Sequence, residues 1–111
     1  MDITTTNYKS CDVVMMNGRL DSNTSPQLTE AFKALTDDGR YHLVFDMGQV
    51  EFISSSGVWV LMETQKECKK RKRGELVITN VNEKIQHSLD LAGLKHFFKF
   101  FDNVTDAVGN F

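Results

Sequence analysis

Three consecutive hydroxyls, Ser54, Ser55 and Ser56, are followed by Gly57 and the five apolar residues 58–62. A β-rich stretch, Val50, Glu51, Phe52 and Ile53, leads into them. The serines therefore stand at a predicted helix N-terminus. There, backbone N–H groups lack intrahelical partners and the helix dipole favours negative charge. That chemistry suits a capping serine, a bound anion or a phosphoserine.

Other reactive side chains are not assembled for chemistry. A serine hydrolase needs its nucleophile in an elbow such as G-x-S-x-G, with His and Asp partners, and no glycine precedes these serines at that spacing. His42, His87 and His96 are scattered, and no His/Cys pair has the spacing of a zinc site. One glycine, Gly57, is too few for a phosphate-cradling loop. A phospho-accepting Asp46 at a strand end would need further carboxylates to hold Mg²⁺. Asp21 follows a strand alone, and Asp37 and Asp38 fall at a helix end. Asp46 is thus expected to bond nearby backbone in a turn. Cys11 and Cys68 are expected to be reduced and partly buried. The chain reads as a binding protein rather than an enzyme, with no catalytic group, metal or cofactor.

The elements that must position the serines are clearly punctuated. The chain has 111 residues, 41% hydrophobic and 25% charged, as expected of one soluble domain spanning 1–111. No run approaches the roughly 20 apolar residues of a membrane helix, and residues 1–10 lack a signal-peptide core. Strands are predicted at 2–7, at 12–17 ended by Gly18, at 41–46, 75–79 and 97–101. Helices are predicted from Thr24 or Ser25 to Gly39, with Pro26 in the first turn and Gln27 completing a capping box with Thr24. Further helices are predicted at 56–73, from the Asn82 cap to Gly93, and at 104–108. This alternation predicts an α/β layer around a central sheet.

The net charge of −2 hides a basic run at 66–73, with six of the 13 basic residues and one acid. Cations at a helix C-terminus complement the dipole. The run has no interleaved aromatics and no second basic patch, so it reads as a solvated helix end rather than a nucleic-acid surface. The run 58–62 covers every face of a helical turn. Val58, Leu61 and Met62 fit one core stripe with Gln65 and Cys68. Trp59 and Val60 then point away from it, and Trp59 shares a side with Glu63, Lys66 and Lys70. Exposed apolar groups beside a serine cluster predict a protein-contact surface.

With these residues in view, the chain resembles the anti-sigma factor antagonists, the small single-domain form of the STAS family, over nearly its whole length. Gly18-Arg19-Leu20-Asp21 is similar to that family's G-x-L-D. Segment 41–50 resembles its central strand, segment 52–57 its D-S-S-G loop, and Leu91-Ala92-Gly93-Leu94 its late x-x-G-L. Ser54 stands where the family motif has Asp, and Trp59 where many members have a small residue. The resemblance implies a STAS-type fold, a small, mostly parallel β-sheet with helices packed chiefly on one side. It also implies a cytoplasmic protein that binds an anti-sigma factor with serine kinase activity and so frees a sigma factor. The kinase then phosphorylates it and a PP2C-type phosphatase restores it. By position the acceptor is Ser55, ahead of Ser56 and Ser54. Asp21, Ser54, Ser56, Gly57, Val58 and Trp59 are the expected partner-binding residues. The alternative is a STAS adaptor that is not phosphorylated, such as a subunit of a lipid-transport ABC system.

Overall fold

The computed structural model describes residues 2–71 and 74–111. In chain order the elements are β1 (Ile3–Asn7), β2 (Asp12–Leu20), α1 (Ser25–Asp37), β3 (His42–Ile53), α2 (Ser55–Lys69), β4 (Glu75–Thr79), α3 (Glu83–Leu91), β5 (Phe100–Phe101) and α4 (Val104–Gly109). They form one five-stranded sheet in sequence order. The β1–β2 pair is antiparallel because its connection is a tight turn, closed by the Tyr8 N–H on the Cys11 carbonyl at 2.8 Å. Every later pair is parallel, because each connection carries a helix.

One sheet face carries the main core, in which Val14, Met16, Leu43, Phe45, Leu76 and Ile78 meet α1, α2 and α3. The other face packs Val13, Val44 and Val77 against Ala107 of α4. Three helices on one side and one short helix on the other match the fold expected from the resemblance. Both cysteines are buried and free. Burial, with Glu67 adding to it, pushes the Cys68 thiol up to about 12, so it takes no part in thiolate chemistry.

Several boundaries differ from the sequence reading. β2 does not end at Gly18. It passes through that residue at φ 93° with a register shift before Arg19, and runs on to Leu20. β3 continues seven residues beyond Asp46 to Ile53. Asp46 is therefore inside a strand, although it does bond nearby backbone: its carboxylate accepts from the Gly48 N–H (2.9 Å) and from Asn80 Nδ2 (3.1 Å). The Thr24–Gln27 capping box does not form, and Thr24 makes no side-chain cap. Its hydroxyl instead donates to the Arg19 carbonyl (2.7 Å) and accepts from the Asp21 N–H (2.9 Å). β5 is confined to two residues, because Leu94 and Phe98 fold into the core before it. The long helix ends at Lys69, and Lys72 and Arg73 lie outside the described residues.

The β3 extension positions the functional end of the molecule. β4 pairs with β3 only as far as Asp46–Thr79, whereas β2 accompanies it to Leu20–Ile53. Two strand ends therefore project together beyond the sheet and deliver Asp21 and the serines to one edge. The side of the projection that β4 leaves bare is closed by side chains. Asp46 takes the Gly48 N–H, and Asn82 Nδ2 donates to the Val50 carbonyl (3.4 Å).

Candidate functional site

Ser54 is the N-cap of α2. Its hydroxyl accepts from the Gly57 N–H (3.3 Å), its N–H donates to the Leu20 carbonyl (2.8 Å), and its carbonyl accepts from the Val58 N–H (3.0 Å). One residue thus ties the helix start to the end of β2. Among the described residues, the Ser55 and Ser56 amides are left as the uncommitted donors of the first turn. Ser55 is exposed at this point and Ser56 is half-buried.

Gly57 is buried because the helix start lies against the strand ends. A Cβ there would stand 2.6 Å from Leu20 Cγ and 2.9 Å from Ile53 Cγ1. Gly57 therefore seats the helix and cannot reach a partner, which corrects its expected contact role. Val58 is half-buried against the core, so little of it is available either. Gly57→Ala is expected to destabilise by up to about 2 kcal/mol. Overpacking costs ~1–3 kcal/mol, partly offset by the ~1 kcal/mol helix-propensity gain over glycine. Gly109→Ala, whose Cβ meets nothing within 4 Å, should be neutral or slightly stabilising. Urea unfolding of the two variants checks the contrast, and equal behaviour would remove the close-approach explanation.

The neighbouring loop is built to hold its shape. Asp21 Oδ1 accepts from the Asn23 (3.0 Å) and Thr24 (3.2 Å) amides, an Asx turn reinforced by the Thr24 hydroxyl. Arg19 lies 4.1 Å above the Phe52 ring, with its Nε 3.8 Å from Asp21 Oδ2. The Arg19–Phe52 pair is not evident from the sequence, because it forms between two different strand ends. Its one sequence signal is an aromatic residue, Phe52, two residues before the serine cap.

Trp59 is 61% exposed, as its helical position predicted. Val60, expected to point outward with it, is only 6% exposed. The reason is that α2 has two partners. Leu61, Gln65 and Cys68 face the sheet, while Val60 and Thr64 face α1. Between α1 and α2, Trp59 overhangs a depression of about 450 Å³ lined also by Ser25, Pro26, Thr29, Ser55 and Ser56. A second hollow of about 210 Å³ continues along the same helix pair past Phe32, Lys33 and Glu63, sharing Thr29, Trp59 and Val60 with the first. Pro26 and Thr29 joined the site only through tertiary packing. The structure brings Asp21, Ser54, Ser55, Ser56 and Trp59 to one end of the molecule. His87, His96 and the two cysteines do not line either hollow.

A family model described as the STAS domain matches residues 2–107. The chain belongs to the STAS domain family. This STAS domain is similar to the anti-sigma F factor antagonist of Paenibacillus polymyxa, at 29% identity over 100 residues, covering 86% of this chain and 82% of that one. Its structure superposes on that of an anti-sigma factor antagonist from Mycobacterium paratuberculosis with a TM-score of 0.87. Identity is 26%, over 98% of this chain and 92% of the other. The Bacillus cell fate determinant SpoIIAA in its phosphorylated form shares the fold at a TM-score of 0.77 and 15% identity, over 98% of each chain. Among the described residues of this STAS domain, no helix is long and apolar enough to cross a membrane.

Proposed function

We propose that this STAS domain is an anti-sigma factor antagonist switched by phosphorylation of Ser55. It binds an anti-sigma factor that is also a serine kinase, releases the sigma factor, loses its grip when the kinase modifies Ser55, and is reset by a PP2C-type phosphatase. On this reading it works in the cytoplasm and binds without catalysing. The observation that carries the proposal is the exposed Ser55 on the first turn of α2: it follows Ser54, whose N–H bonds the Leu20 carbonyl beside the Asp21 turn, and it shares a depression with the exposed Trp59. The names of its relatives support the partner class. SpoIIAA, with the same fold, exists in a phosphorylated form.

The switch follows from the local electrostatics. A phosphate on Ser55 adds about −1.5 to −2 charge at a helix N-terminus, where the dipole contributes roughly 0.3–1 kcal/mol in its favour. The fold should therefore survive. Among the described residues, no lysine or arginine lines the adjoining depression, so this domain supplies that charge with no counter-charge there when a partner covers the site. Burying it uncompensated costs several kcal/mol. The interface penalty exceeds the dipole gain, and the partner leaves a domain that is still folded.

Incubation with the cognate kinase and ATP, followed by mass spectrometric mapping, tests the assignment. Phosphate on Ser55 is expected. Phosphate confined to Ser54 or Ser56 contradicts the residue, and no phosphate contradicts the switch. Ser54 supports the choice indirectly, since its hydroxyl already accepts the Gly57 amide.

Trp59→Ala is expected to weaken anti-sigma factor binding by about 30-fold, the ~2 kcal/mol of an aromatic hot spot. Its cost to stability should be below about 1 kcal/mol, because the ring is largely exposed. Titration calorimetry and urea unfolding of the same variant separate the two effects. A core-sized loss of stability, or unchanged affinity, removes this surface from the interface.

A further inference from the structure

We propose that the outer edge of β1 is a self-association surface, on which a second copy of this chain pairs its own β1 antiparallel about Thr5 and joins the two sheets. β1 is the terminal strand of the sheet. The Tyr8 N–H donates to the Cys11 carbonyl and the Asn17 N–H to the Asp2 carbonyl. The even-numbered residues thus face β2. By the alternation of an antiparallel ladder, Ile3, Thr5 and Asn7 point their N–H and C=O groups outward. Among the described residues, no side chain bonds these outward groups.

Exposed strand edges are normally blunted by charge, proline, bulges or covering groups. The bare flank of β3 shows such closure, with Asp46 on the Gly48 amide and Asn82 on the Val50 carbonyl. The β5 edge is only two residues long. β1 has no such device: Ile3–Asn7 holds no charge and no proline, pairs with β2 without a register shift, and is exposed from Thr4 to Asn7.

The strand is also complementary to itself. Pairing about Thr5 sets Thr5 opposite Thr5 and Ile3 opposite Asn7 of the second copy. Every outward-facing residue then meets another, with up to six N–H···O=C bonds available. Thr4 falls beside Thr6, a favourable cross-strand pair. The acidic Asp2 end of each strand comes beside the Tyr8–Lys9 end of the other, so the ends are opposite in charge. Two five-residue strands bury less than the ~1,000 Å² of a stable interface, so the association is weak and concentration-dependent.

Analytical ultracentrifugation from about 10 µM to about 1 mM should show the mass of the full chain rising from 12.6 kDa toward twice that value. Thr5→Pro removes an outward donor and leaves the ladder to β2 intact, a placement proline tolerates on an edge. It should hold the protein at 12.6 kDa throughout. A wild-type chain that stays monomeric, or a Thr5→Pro chain that dimerises equally well, overturns the proposal. Hydrogen exchange on the wild type needs no variant. The Thr5 amide should exchange at least about tenfold more slowly at the high concentration, while Thr4 and Thr6, already bonded to β2, stay unchanged. Concentration-independent exchange at Thr5 overturns it as well.

Discussion

Gln65→Leu is expected to destabilise the domain by about 3–5 kcal/mol, although leucine is the more hydrophobic residue and the site is fully buried. The Gln65 amide stands in for a missing length of strand. β5 pairs with β4 only at Ile78 and Thr79, so the edge of β4 at Leu76 has no strand beside it. Gln65 fills the gap from α2: its Oε1 accepts from the Leu76 N–H (2.7 Å), and its Nε2 donates to the Leu76 carbonyl (3.0 Å) and the Phe97 carbonyl (3.0 Å). Leucine would leave one donor and two acceptors without partners. Each such group costs about 1–3 kcal/mol, against a far smaller gain from an apolar side chain of similar size. The midpoint of urea unfolding should fall with the m-value unchanged. A change under about 1 kcal/mol would show that water or a shifted strand replaces the amide. Gln65→Glu adds a test of sign. A carboxylate facing two carbonyls has its folded pKa raised, so this variant should be most stable below the unfolded pKa of ~4.3 and weaken as the pH rises through the folded value.

Gln65 also marks the limit of what the sequence made legible. It fell on the correct helical stripe, but a period of 3.6 cannot distinguish an amide that tolerates the core from one that completes a sheet. Elements whose signals are local are legible in the sequence. Segment 75–79 is a strand because its apolar side chains are buried on both faces, and Asn82 caps α3 by accepting from the Ile85 N–H at 2.8 Å. The structure departs from the local cues where tertiary partners override them. Gly18 looks like a strand end and Asp46 like a turn residue, yet β2 absorbs the glycine at a positive φ and the Asp46 carboxylate ties down the Gly48 amide within a strand that runs on to Ile53. Val60 reads as exposed in the sequence but is buried, because α1 approaches from a direction no sequence period carries. The same holds for the site. The serine cap and Trp59 were visible as chemistry at a helix start, whereas the depression between Pro26, Thr29 and Trp59 exists only because two helices pack side by side.

On the proposed reading, charge at the Ser55 hydroxyl controls partner binding. Ser55→Asp carries one charge rather than nearly two, and should weaken binding only in part. Ser55→Ala should bind normally and resist inactivation. The most direct measurement uses the full chain with phosphoserine installed at Ser55 alone, titrated by calorimetry against its cognate anti-sigma factor, with urea unfolding run on the same samples. The affinity should fall by about 100-fold or more, the several kcal/mol of an uncompensated buried charge, while stability stays within about 1 kcal/mol of the unmodified chain. Equal affinity of the two forms, or a loss of affinity matched by a loss of folding, would contradict it.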